Sequence, residues 1–337
     1  MIMRYAIAGA LLCAVQATAL GAASVDRVYA FGDSLNDCCN NPAAPFTNGP
    51  ESWLVEFSAL MGARYSETAA VNYAVGGAQS GAFNAIAGGG VTAPDGLQSQ
   101  IDRFQADAPA VDADDLAVIW VGTNDIWSSS YAADTLFGLP GLDIVKPLGP
   151  NPGTQELAGY IADNVQIAVQ DLRDAGFGNA LVLTPYDIGD SALFDVATGP
   201  AQNTEYAEAL RDELFRRFTP GIDSYVLDVV ELIRDLQAGA PDNGFTQLTT
   251  DPSCSFGSIL CADRPQSAQD SFIYFDFVHL TTTTNSEIAA AAAALLQDGD
   301  PLAPVPLPAG LVLMLTAVGG FAVMRRRRPG CGVPGVS

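Results

Sequence analysis

Leu116-Ala-Val-Ile-Trp-Val121 runs directly into Gly122-Thr-Asn124-Asp125. Six apolar residues in a row, three of them β-branched, suit a strand covered on both faces, as in a parallel sheet flanked by helices. The tetrapeptide that follows puts polar side chains at the strand's carboxyl end. Working outward, Arg27 to Phe31, Val71 to Val75, Ala180 to Thr184 and Tyr225 to Leu227 are strand-like, and Pro185 ends the fourth of these five strands. Between them, Trp53 to Met61, Leu97 to Phe104, and Val229 to Leu236 have helical spacing. Leu157, Ile161, Val165, Ala168 and Leu172 share one face of a longer helix that stops at Gly176. Tyr206, Leu210, Leu214 and Phe218 mark another, and Ile288 to Leu296 is an alanine-rich last one. This alternation predicts an α/β fold, a central, mostly parallel sheet with helices on both faces, in one domain over residues 24–300. Residues 239–270, rich in Gly, Pro and Ser, read as an insertion or long loop.

The two ends of the chain have a different character. Met1-Ile-Met-Arg4, an apolar run from Tyr5 to Val15, and small residues through Ala23 predict a secretory signal peptide over residues 1–23. The apolar run is too short to span a bilayer, which needs about 20 residues. Residues 301–337 contain no acid, and Val305-Pro-Leu-Pro-Ala309 leads into the apolar stretch Gly310 to Met324 and then Arg325 to Arg328. Such a stretch followed by arginines is retained in a membrane with the arginines on the cytoplasmic side. It resembles the VPLPA variant of the PEP-CTERM sorting signal. That resemblance implies transient insertion in the inner membrane of a Gram-negative bacterium, processing by an exosortase-type enzyme, and an exported, extracellular or surface-associated product.

Composition excludes several functions. There are 38 Asp and Glu against 15 Lys and Arg, a net charge of -23, with a single lysine, Lys146, and a single histidine, His279. Nucleic-acid binding lacks its basic footprint, and a zinc site built on several imidazoles cannot be assembled from one. Without Arg4 and the four terminal arginines, 10 basic residues face all 38 acids, so the body carries about -28. No D-x-D-x-D-G calcium loop is present. Of six cysteines, Cys13 and Cys331 fall in the terminal segments. Cys38, Cys39, Cys254 and Cys261 remain, an even set suited to disulfides in an oxidising compartment, with three possible pairings. A Cys254–Cys261 bridge closes a small loop and leaves Cys38 and Cys39 as an adjacent pair; cross-pairing ties the segment after the first strand to the late insertion.

In an open α/β sheet the site collects at the carboxyl ends of the strands. After the first comes Gly32-Asp33-Ser34-Leu-Asn-Asp37, after the second Asn72-Tyr-Ala-Val-Gly76-Gly77-Ala78, and after the third Gly122-Thr-Asn124-Asp125. Asp276-Phe-Val-His279 precedes the last helix. Singly these are turns or helix caps; jointly they supply a hydroxyl, a carboxylate, two glycines, an amide and the only imidazole.

These blocks resemble the GDSL, or SGNH, hydrolase family, in its branch of secreted esterases, phospholipases and hemolysin-like lipases. Thr47-Asn-Gly-Pro50, Trp53 and Asn72-Tyr-Ala-Val-Gly-Gly-Ala78 match the same branch, and the match covers residues 25–297. The chain departs from it at Cys39-Asn40, where Gly-Asn is usual, and at Leu280, where Pro is common. The resemblance implies a three-layer, flavodoxin-like fold and acyl-ester hydrolysis without cofactor or metal. Ser34 would be the nucleophile, His279 the base and Asp276 its orienting carboxylate. The Ser34 and Gly77 N–H groups and the Asn124 amide would form the oxyanion hole. Gly77 is preferred to Gly76 from its place in the family pattern, and Asp33 is expected to orient the loop. A Ser-Lys pair has only Lys146, which has no serine motif beside it, and no spacing among the acids singles out a glycosidase pair. Deacetylation of extracellular polysaccharide and a non-catalytic matrix-binding role on the same fold are the competing readings. The pocket residues are expected in 126–152 and 239–270, where Trp127, Tyr131 and Phe137 either line an acyl site or pack the loop.

Overall fold

The structure is a computed structural model describing residues 24–41, 44–87, 95–129, 143–149, 151–190, 200–218, 224–239, 245, 254, 261–276 and 278–298. The expected signal peptide, the 301–337 sorting segment, Tyr131, Phe137 and most of 239–270 lie outside the described residues.

Four strands form the main sheet: β1 (Arg27–Gly32), β3 (Asp115–Trp120), β5 (Asn179–Leu183) and β6 (Ser224–Leu227), all parallel in the order β1-β3-β5-β6. Two short strands, β2 (Ile86–Ala87) and β4 (Asp143–Ile144), pair antiparallel apart from it. All of β3 is buried, Asp115 included, and its apolar run from Leu116 to Trp120 suits a strand with neighbours on both edges and helices over it. Its last residue, Trp120, meets Trp53 edge to face with ring centroids 5.9 Å apart and donates its indole N–H to Thr184 O at 3.0 Å. That partner is what allows an indole to be wholly buried. Gly32, Trp120 and Leu183 lie in register, so three strands end at one level.

The helices are α1 (Trp53–Met61), α2 (Leu97–Asp107), α3 (Thr123–Ser129), α4 (Thr154–Asp174), α5 (Pro200–Arg217), α6 (Val229–Ala238), α7 (Gln266–Gln269) and α8 (Thr282–Asp298). They flank the sheet in two packing groups. In one, α1 lies on the alanine-rich α8; in the other, α4 lies between α2 and α5. The small side chains of α8 let it approach closely while burying Ile288, Leu295 and Leu296. The expected stop after α4 is present, with Gly176 at φ 117°.

One expectation needs correction. Val71 to Val75 does not form a full strand; it makes a single parallel bridge between Asn72 and Ala30. The segment does run along β1, with Ala30 N donating to Val71 O at 2.9 Å, Tyr73 N to Ala30 O at 2.8 Å and Val75 N to Gly32 O at 3.0 Å. Its far side is capped by side chains: the Asn40 amide donates to Asn72 O and Ala74 O, both at 2.8 Å. Carbonyls answered by an amide offer no template to a further strand. The cysteines take the local pairing, Cys254 with Cys261 and Cys38 with Cys39.

Candidate active site

The turn that carries Ser34 is built by its neighbours. Gly32 has φ 124°, and a Cβ there would run into the Trp120 carbonyl, so only glycine fits. Asp33 N donates to Trp120 O at 3.0 Å, extending the sheet contact by one residue. The chain then turns sharply: Asn36 N and Asp37 N both donate to Asp33 O, at 3.1 and 3.0 Å, and Leu35 N donates to Asp33 Oδ1 at 3.0 Å. Ser34 therefore stands at the head of a tight turn at the carboxyl end of β1. Gln100 of α2 grips Gly32 from the side, accepting from its N–H at 2.8 Å and donating to its carbonyl at 2.8 Å.

His279 arrives from the other end of the chain. Tyr274 and Leu280 form an antiparallel bridge, and Asp276 to His279 is the tip between them. Asp276 Oδ1 accepts from Val278 N at 2.8 Å and from His279 N at 2.6 Å, which fixes the tip. Its other oxygen, Oδ2, lies 2.7 Å from His279 Nδ1, and His279 Nε2 lies 2.9 Å from Ser34 Oγ. Burial pushes the Asp276 carboxyl up, but the facing imidazole and the hydrogen bonds from His279 and Val278 outweigh it and hold the group below the usual carboxylate range. The phenol of Tyr186, a buried residue, donates to Val278 O and steadies the same tip.

The second and third blocks close the remaining side. Gly76 N donates to Asp37 Oδ2 at 2.8 Å, while Gly77 takes φ 85°. Asp37 also accepts from Cys39 N at 3.0 Å and Asn40 N at 2.8 Å, so one carboxylate ties the nucleophile turn to the glycine block. At the start of α3, the Asn124 amide donates to Ala78 O at 3.2 Å. Its neighbour Asp125 accepts from Ser80 N and Ser80 Oγ, both at 2.8 Å. Ser34, Gly77, Asn124 and His279 all line one cleft of about 250 Å³, with Leu35, Phe46, Trp127, Tyr186 and Val278 as its apolar walls. Trp127 thus borders the cleft while being only 7% exposed.

Beneath the cleft lie carboxyls with little water to solvate a charge. Burial drives Asp33 up to about 8; the Leu35 N–H and the Asn124 amide oppose this, and the charges of Asp125 and Asp37 add to it. Burial likewise pushes Asp125 up to about 7 against its bonds from Ser80, and raises Asp37 against the N–H groups it accepts.

Of the expected residues, Ser34, Gly77, Asn124, Trp127 and His279 line the cleft and Asp276 reaches it through His279, whereas no described residue of 239–270 is part of the lining. Those that sequence reasoning passed over are Gln100, Phe46, Asn40 and the Ser80 partner of Asp125. Gln100 alone left a trace: it sits at helical spacing between Leu97 and Phe104, a polar residue on an apolar stripe.

A parallel sheet with these side chains at its carboxyl ends is the frame of an ester-bond hydrolase. The chain belongs to the GDSL-like lipase/acylhydrolase family, whose model matches residues 28–292. A comparison with curated proteins found no match. Among solved structures, it is similar to a lipolytic G-D-S-L family member from Veillonella parvula, with 14% identity over 80% of this chain and 96% of that one and a TM-score of 0.40. It is also similar to an acetylxylan esterase from Geobacillus stearothermophilus (14%, 84% and 97%, 0.44). An α/β hydrolase from the Lake Arreo metagenome is a third (14%, 83% and 97%, 0.43).

Proposed function

We propose that this chain is a secreted serine esterase that hydrolyses carboxylic acyl esters. Ser34 is the nucleophile, His279 the base and Asp276 its orienting carboxylate. The observation that carries the reading is the unbroken relay from Ser34 Oγ to His279 Nε2, 2.9 Å, and from His279 Nδ1 to Asp276 Oδ2, 2.7 Å. With the Nδ1–H directed at Asp276, Nε2 is free to take the Ser34 proton as Oγ attacks the ester carbonyl. The carbonyl oxygen then becomes an oxyanion, and the Ser34 and Gly77 N–H groups and the Asn124 amide are its donors. Gly77 is favoured over Gly76 because the Gly76 N–H is already given to Asp37. His279 next passes its proton to the departing alkoxide, leaving an acyl group on Ser34. Water, deprotonated by the same imidazole, attacks that acyl-enzyme, and the acid leaves as Ser34 recovers its proton.

The apolar walls of the cleft favour an acyl chain on the acid side of the ester, in lipid or small-ester substrates. The sequence patterns at residues 1–23 and 301–337 support export followed by exosortase-type processing, with the body outside the inner membrane. Among the described residues no helix is long and apolar enough to cross a membrane. The test is hydrolysis of p-nitrophenyl acetate and longer-chain esters by wild type and Ser34→Ala. The reading expects Ser34-dependent turnover; equal inactivity of both proteins across all chain lengths refutes it, and leaves the non-catalytic binding role.

A further inference from the structure

We infer that Phe46 is a positioning residue for His279, its ring lying on the imidazole so as to stabilise the imidazolium that forms while Ser34 is deprotonated. This rests on the triad reading above. The Phe46 and His279 rings are stacked, centroids 4.8 Å apart at 27°. That is within the roughly 6 Å over which an aromatic face attracts a cation. A second ring, Phe275, lies nearly parallel to the imidazole at 5.9 Å.

Phe46 is held there from two sides. Thr47 Oγ1 is 3.2 Å from Thr282 Oγ1, and Thr282 N donates to Asn48 Oδ1 at 2.6 Å. The two residues after Phe46 are therefore fastened to the residue three past His279, so ring and imidazole move as one piece. On the opposite side, Gly76 makes room: a Cβ there would lie 2.8 Å from Phe46 Cζ. Gly76 has no positive φ to explain its identity; a side chain there would crowd the Phe46 ring first and the Asn41 amide, 3.2 Å away, next.

Before proton transfer the imidazole is neutral; only as Oγ attacks does it become a cation. An interaction that strengthens with that charge acts on the transition state and appears in kcat rather than KM. If Phe46 were only a wall of the cleft, its loss would appear in KM and grow with acyl chain length.

Substitution separates these cases. Phe46→Leu keeps apolar bulk and removes the aromatic face. Assayed on p-nitrophenyl acetate, butyrate and octanoate, Phe46→Leu is expected to lower kcat about 2- to 5-fold, reaching roughly 30-fold if the site is fully desolvated. The loss is equal on all three esters, with KM within about twofold. Gly76→Ala, which retains Phe46 but displaces its ring, lowers kcat on its own and adds nothing in the Phe46→Leu background. A Ser34-dependent wild type with unchanged Phe46→Leu, or a loss confined to KM, overturns this inference alone. A wild type no more active than Ser34→Ala overturns it together with the triad reading.

Discussion

Replacing Asp33 by asparagine tests whether the carboxyl beneath the nucleophile is neutral in the folded protein. Asp33 is 0% exposed; Oδ1 accepts the Leu35 N–H and Oδ2 has no hydrogen-bond partner among the described residues. In the unfolded chain its pKa is about 3.9, whereas burial raises it to about 8 in the fold. Between these values the native state holds a proton that the unfolded state has released, so stability declines as pH rises, by up to about 1.4 kcal/mol per pH unit. Below pH 4 both states are protonated and the slope vanishes. Asparagine does not titrate. It keeps the acceptor for Leu35 but buries an unpartnered NH2, an offset of about 1–3 kcal/mol that is the same at every pH. Relative to wild type, Asp33→Asn is therefore at its greatest disadvantage below pH 4 and gains on it steadily from pH 5 to pH 8. Asp125, raised to about 7 nearby, titrates with it, so the curve belongs to the pair. Urea denaturation of both proteins at half-unit pH steps and constant ionic strength measures the difference. A difference that is flat from pH 5 to 8 refutes the neutral carboxyl.

On the proposed mechanism, Asn124→Ala removes one oxyanion donor and is expected to lower kcat by about 100- to 1,000-fold with KM little changed; steady-state kinetics on a p-nitrophenyl ester reads both constants, and a loss in KM alone contradicts the assignment. Gly32→Ala places a methyl against the Trp120 carbonyl at φ 124°. It is expected to cost several kcal/mol in denaturant and to abolish turnover. A folded, active Gly32→Ala variant would mean that the turn tolerates a shift of β1.

The α/β frame was legible because β3 is apolar without interruption and because β-branched runs alternate with helical spacing. The cleft was legible in part because Ser34 and Asn124 follow β1 and β3, where such sheets gather their chemistry; the glycine block follows a single bridge, and Asp276 and His279 follow no strand of the main sheet. What stayed hidden depends on which side chains meet across long separations. Nothing in Val71 to Val75 announces that Asn40 will take its outer carbonyls, so a segment with strand composition ends as a single bridge. Cysteine spacing alone allowed three pairings, and the fold selects the local one. Phe46 looked like an ordinary apolar residue before Thr47, since its contact with His279 spans nearly the whole domain.

Ser34 and His279 are 245 positions apart, and the tip bearing His279 is held by the bridge of Tyr274 to Leu280 and by the clamp onto Thr282 at the head of α8. On the proposed mechanism, Ser34 therefore has no base until α8 has been made and has docked on α1. On that reading, a chain that lacks α8, or in which α8 has come away from α1, holds Ser34 as an ordinary alcohol with no base beside it.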